Sequence, residues 1–226
     1  MRKFFVLAAL LVSGAAHALS LDQLTNKDTA AGLKEALTQG AGKAVDLLGR
    51  NDGFLGNPKV KIPLPENLQK AETMMRNFGM GKYADELVTS MNRAAEAAVP
   101  EAKKLLVASI KAMSVQDAKG ILTGGDDSAT QYFRRTTAAQ LGEKFKPIVQ
   151  QAMAKVKLAK KYDKFAGKAA AFGLIEEKDA RLDNYVTEKA LDGLYLMIAE
   201  EEKAIRANPV DAVGKLAKKV FGALGQ

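Results

Sequence analysis

Cysteine is absent from the 226 residues, which removes disulfides, thiolate nucleophiles, thiolate metal sites and a lipidated N-terminal cysteine together. Tryptophan is also absent, and the single histidine is His17. The alternating apolar pattern of a half-buried strand is scarce. So are long apolar runs: beyond the N-terminus no stretch reaches the roughly 18 residues that signal a membrane-spanning helix. What the chain does have is 47% hydrophobic and 27% charged residues with a formal net charge of +8. That is the composition of a chain long enough for one domain with a real core.

The N-terminus predicts export. Met1-Arg2-Lys3 is a basic head, Phe4 to Val12 is unbroken and apolar, and Ala16-His17-Ala18 places small residues before a cut at Ala18/Leu19. This is the layout of a secretory signal peptide, too short to span a bilayer. Residues 1–18 are expected to be removed, and residues 19–226 to form a single periplasmic domain that is not a lipoprotein. Cleavage would take away His17, Arg2 and Lys3, leaving +6 of the +8. A mature chain with neither His nor Cys cannot build Ser-His-Asp or Cys-His catalysis or an ordinary zinc site.

Helical period dominates the mature chain. It predicts helices near 29–49, 66–78, 83–99, 100–113, 115–122, from 129, 148–172, 178–207 and from 209. Pro100, Pro147 and Pro209 are each expected to open a helix, where a missing N–H costs nothing. Leu87, Val88, Met91, Ala94, Ala95 and Ala98 form one stripe, and Tyr132, Phe133, Thr137, Leu141 and Phe145 another. Ser114-Val115-Gln116-Asp117 has the form of a capping box. Asp126-Asp127-Ser128 reads better as a cap for the helix from Ala129 than as a calcium loop, whose alternating acids it lacks. Ile62-Pro63-Leu64-Pro65 reads as a rigid extended entry to the next helix. Met74, Met75, Met91, Met113, Met153 and Met197 read as gap fillers between helices, or as the lining of an adaptable apolar pocket. The fold class expected is all-α, a bundle of about eight or nine helices.

Charge is segregated. Residues 155–168 carry six lysines and one acid, whereas residues 176–202 carry nine acids against three cations. Two consecutive helices of opposite charge are natural antiparallel neighbours, which accounts for the lysine stripe without nucleic acid; none is expected as a partner. The C-terminal segment from residue 203 is net +4. Lys215, Lys218, Lys219 and Phe221 make it a candidate for peripheral contact with an anionic membrane, unless its apolar face docks on its own domain.

The densest acidic feature is Glu200-Glu201-Glu202. On a helix Glu201 falls on the stripe of Leu194, Ile198 and Ile205, and a glutamate there must be paired, bound to a cation or raised in pKa. Glu202 is placed to pair with Arg206 at i, i+4. Glu96, Asp192 and Glu201 are therefore the ligand or cation candidates. Arg93, Arg134 and Arg206 are the paired-charge candidates, for which a buried ion pair fixing helix register is the structural alternative. No cofactor is expected.

Several strings taken together carry a resemblance: Gly32-Leu33-Lys34-Glu35-Ala36-Leu37, Ile62-Pro63-Leu64-Pro65, Met91-Asn92-Arg93-Ala94-Ala95-Glu96, Tyr132-Phe133-Arg134, Tyr185-Val186-Thr187, Ala190-Leu191-Asp192-Gly193-Leu194 and Lys218-Lys219-Val220-Phe221-Gly222. The chain resembles a family of exported bacterial proteins of unknown function, family 4197. The resemblance implies a helical envelope protein of Gram-negative bacteria and brings no activity, cofactor or catalytic residue. The expectation is a non-enzymatic binding module for an apolar or amphiphilic small molecule, a lipid or an envelope partner. The alternatives are a carboxylate-based divalent-cation site or enzyme, and a purely structural role.

Overall fold

The computed structural model describes residues 26–157, 159–160, 162–163, 181–208, 217–218 and 220. Among them there is no strand, and seven α-helices follow one another: α1 (Asn26–Leu48), α2 (Glu66–Asn77), α3 (Gly81–Ala98), α4 (Ala102–Ala112), α5 (Val115–Thr123), α6 (Ser128–Met153) and α7 (Leu182–Ala207). A 3-10 turn at Val99–Glu101 joins α3 to α4 around Pro100. The fold is all-α as expected, with fewer helices among the described residues than the eight or nine anticipated.

The two longest helices, α6 and α7, form the central pair; α3 packs on α6, α1 packs on α7, and α4 and α5 close over α1. Spacing dictates the arrangement. Leu87, Met91, Ala94, Ala95 and Ala98 of α3 are all buried, and alanines on that stripe let the neighbouring helix approach closely. Phe133, Leu141, Phe145 and Val149 of α6 and Val186, Ala190, Leu194 and Ile198 of α7 fill the centre. Each large apolar side chain buried there contributes about 1.5–3 kcal/mol.

Pro147 does not open a helix. It lies on the exposed face within α6, and the chain breaks instead at 154–156. Phe145, Val149 and Met153 continue the buried stripe across the proline. Their burial, at about 1.5–3 kcal/mol each, outweighs the ~3 kcal/mol that an interior proline costs. The Ser114 capping box forms as expected, with Ser114 Oγ accepting the Asp117 N–H and Asp117 Oδ2 accepting the Ser114 N–H, both at 3.0 Å. The Ser114 hydroxyl also donates to Asp117 Oδ2 at 2.6 Å, and it and the Ser114 N–H hold the Asp117 carboxyl below its ordinary pKa. Most of the expected basic helix at 155–168, and its acidic neighbour up to residue 180, lie outside the described residues.

Candidate functional site

Glu202 sits on the face of α7 toward α5 and α6 and is buried. Its Oε1 accepts the N–H of Ala129 and its Oε2 the N–H and hydroxyl of Thr130, at 2.9–3.0 Å. Arg206 Nη2 donates to Glu202 Oε1 and to the carbonyl of Ile121, both at 2.9 Å. The i, i+4 pair is present, and the same carboxylate caps the first turn of α6 while its arginine caps the last turn of α5. Asp127 does not cap α6: its carboxylate accepts from the Gln131 side chain, and Ser128 Oγ donates back to the Gly125 carbonyl. The cap comes from a residue distant in sequence because Glu202 is already desolvated and needs those donors.

Glu96 is buried on α3 and binds the loop that follows α1. Its Oε1 accepts the N–H groups of Phe54 and Leu55 at 3.0 Å, and Arg93 Nη1 donates to Oε2 at 2.5 Å. Arg93 also reaches Asp52 at 2.7 Å, so it serves this loop and not Glu201. One turn earlier Asn92, fully buried, accepts the Ile62 N–H at 2.8 Å and donates to the Ile62 carbonyl at 2.9 Å. Its amide thus acts like one residue of a β-ladder. Ile62 and Leu64 point inward and Pro63 outward, making the extended entry to α2 that the sequence predicts.

Asp192 pairs with Arg134 at 3.2 Å, both half-exposed. The Arg134 guanidinium lies 4.7 Å from the ring centre of buried Tyr195. Thr137 donates to the Phe133 carbonyl, so the Tyr195 hydroxyl donates to Thr137 Oγ1 at 2.9 Å. Burial raises the pKa of that phenol. Glu201 lies at the edge of the α1–α7 contact and pairs with Lys43 at 2.8 Å, while Glu202, its neighbour in sequence, takes the buried position. Glu96, Asp192 and Glu201 are therefore not brought together; each has its own cation. Among the described residues no three acidic side chains gather to hold a metal ion.

Sequence reasoning did not find the cluster at the start of α7. Arg181 donates to both oxygens of buried Asp183 at 2.9 Å, and Gln150 donates to Oδ2 at 2.7 Å. Burial pushes the Asp183 carboxyl up, but these donors prevail and hold it below its ordinary pKa. Nearby Asp163 accepts the Leu182 N–H at 2.9 Å, and there burial wins and raises the pKa.

Clefts open on the surface of the described residues. One, of about 160 Å³, lies between the 59–63 segment and α7, with Lys59, Lys61 and Lys189 around Ile62, Gly193 and Leu196. Another, of about 660 Å³, is a shallow trough along α1 beside Lys103. Of the C-terminal membrane candidates, Lys218 is exposed between buried Ala217 and Val220. Lys215, Lys219 and Phe221 lie outside the described residues. No helix among the described residues is long and apolar enough to cross a membrane.

Among the described residues, the largest group of exposed apolar side chains is on the α2–α3 hairpin. Met91, Met113, Met153 and Met197 fill the core as expected, but Met74 is 61% exposed; the Met75 side chain lies outside the described set. Phe78 is 74% exposed, with Met80 and Tyr83 at 45% each. Met74 and Phe78 stand four residues apart on one face, and Gly79 turns the chain at φ +74°, a conformation glycine adopts freely. Arg76 clips the arms together, reaching Glu72 at 2.7 Å and Asp85 at 2.6 Å. The signal that could have revealed the hairpin is local: Phe78 is the last residue of the predicted 66–78 helix, immediately before the Gly79-Met80-Gly81 break.

These features define a class, a helical bundle whose internal carboxylates act as caps and clasps and whose exposed large apolar side chains, among the described residues, lie mostly on one hairpin. The chain belongs to the family described as a protein of unknown function (DUF4197), which it matches over residues 23–222. No curated protein and no solved structure matches it.

Proposed function

We propose that this protein is a non-enzymatic binding module of the bacterial envelope that presents the α2–α3 hairpin to an amphiphilic or apolar partner. The observation that carries the reading is the exposure of Met74, Phe78, Met80 and Tyr83 at one end of the fold. Exposed apolar side chains gathered in one place mark interaction surfaces. The carboxylates that were the cation candidates have other partners: Glu96 binds Arg93 and two backbone N–H groups, Asp192 binds Arg134, and Glu201 binds Lys43. The signal-like residues 1–18 support delivery to the periplasm, with cleavage after Ala18.

Fractionation tests this. Expressed in a Gram-negative host, the wild-type chain is expected to start at Leu19 and to remain with washed envelope membranes. The M74S/F78S/M80S variant, altered only at exposed positions, is expected to keep its helical circular dichroism and appear in the soluble periplasmic fraction. An uncleaved cytoplasmic protein, or identical distribution of the two chains, would overturn the reading.

A further inference from the structure

We infer that the partner of the hairpin is an anionic lipid bilayer, into whose interface the tip inserts with Phe78 deepest. The inference rests on the envelope-module reading and names its partner. Residues 73–84 contain two cations, Arg76 and Lys82, and no acid. The acids of the hairpin, Glu72 and Asp85, lie behind the tip, where they hold Arg76, and Glu86 lies behind it on α3. The α3 helix begins at the tip with no side chain capping its first N–H groups and no acid in its first turn, so its positive end faces the same way. Lys82 Nζ lies 5.2 Å from the Tyr83 ring centre. An aromatic and methionine apex with Lys82 beside it and an uncapped helix N-terminus, the acids being set back where Glu72 and Asp85 neutralise Arg76, is the pattern of a segment lodged among anionic headgroups.

Size favours a bilayer over a second protein. At about 150–250 Å² per large side chain, and with exposures of 61, 74, 45 and 45%, Met74, Phe78, Met80 and Tyr83 together present roughly 340–560 Å², short of the ~800 Å² per partner that a stable protein interface takes. A fluid interface needs no matched surface, and the Lys82 stem can extend toward phosphates while its apolar segment stays with the acyl chains.

The chain contains no tryptophan, so F78W places one reporter at the tip of the full-length protein. The probes are vesicles of phosphatidylglycerol and phosphatidylethanolamine, with pure phosphatidylcholine vesicles for comparison. With the anionic vesicles F78W emission is expected to shift to the blue and to be quenched by brominated acyl chains, less so in high salt. In co-sedimentation, F78S is expected to bind at least about tenfold more weakly than wild type, with an unchanged Tm. Unshifted emission, or F78S binding like wild type, would overturn the lipid proposal. A blue shift that appears without vesicles and grows with protein concentration would also overturn it, in favour of pairing between copies. If the vesicles are ignored while envelope retention in cells still depends on the tip, the lipid proposal fails and the module reading stands. If retention is also indifferent to the tip, both fail.

Discussion

Gly193 of α7 faces the ring of Phe54 so closely that a Cβ there would lie 2.7 Å from Phe54 Cε1 and 3.3 Å from Val60 Cβ. The ring is fully buried, so the loop after α1 is plugged into the helix pair at this point. G193A is expected to lower stability by about 1–3 kcal/mol, because the ring has nowhere to retreat. Combining it with F54L should cost less than the sum of the single changes, since the smaller side chain makes room. Urea denaturation of the three variants measures the coupling, and strict additivity would refute the contact.

Removing the shared cap at Glu202 should be far more damaging than removing any exposed acid. E202A leaves Arg206 and the Ala129 and Thr130 N–H groups without their acceptor and is expected to cost about 3–5 kcal/mol. E202L/R206M, which removes both charges, should recover part of that loss. Equilibrium unfolding reads both. An E202A chain as stable as wild type would show that α6 finds its cap elsewhere.

Asp183 and Asp163 predict opposite pH responses. The folded-state pKa of Asp183 is lowered, so its contribution to stability is complete above the unfolded value of about 3.9 and is lost as pH falls through the folded value. The folded-state pKa of Asp163 is raised, so its charge opposes folding near neutrality and that opposition fades as pH falls through the raised value. D183N should therefore destabilise at pH 7 by about 1.5–3 kcal/mol and flatten the acid limb below about pH 4. D163N, whose amide oxygen can still accept the Leu182 N–H, should hold or raise stability at pH 7. Urea midpoints at a series of pH values separate the two signs.

Asn92 should protect one backbone amide out of proportion to its loop. Amide exchange at Ile62 is expected to be as slow as in the α3 core, and in N92A to approach loop rates. The accompanying loss of stability should be about 2–4 kcal/mol, since the Ile62 N–H and carbonyl both lose a buried partner. Unchanged Ile62 exchange in N92A would contradict this.

Spacing of three and four was enough to place α3, α4 and α7, and the start of α6, within a few residues, because each buries a continuous stripe. The Ser114 box was readable because donor and acceptor are three residues apart. Contacts across long stretches of sequence were not readable. The α6 cap is supplied from 72–73 residues away, and nothing near Asp127 announces that its own carboxylate turns to Gln131. Glu201 and Glu202 were ordered wrongly for a related reason. Since α7 packs against α1 on one side and α5 and α6 on another, adjacent residues can both face protein, and a single apolar stripe does not rank them. Pro147 misled because local propensity was outweighed by three buried neighbours on the same helix.

The Glu202 cap also sets an order of assembly. The first turn of α6 cannot be completed, nor the end of α5 closed by Arg206, until residues 202 and 206 have been made. The closing element is the last long helix among the described residues, so a nascent chain that lacks it carries an open seam between α5 and α6. For a polypeptide that must stay unfolded until it has crossed a membrane, as the proposed export requires, a keystone placed late in the sequence delays commitment to the folded state.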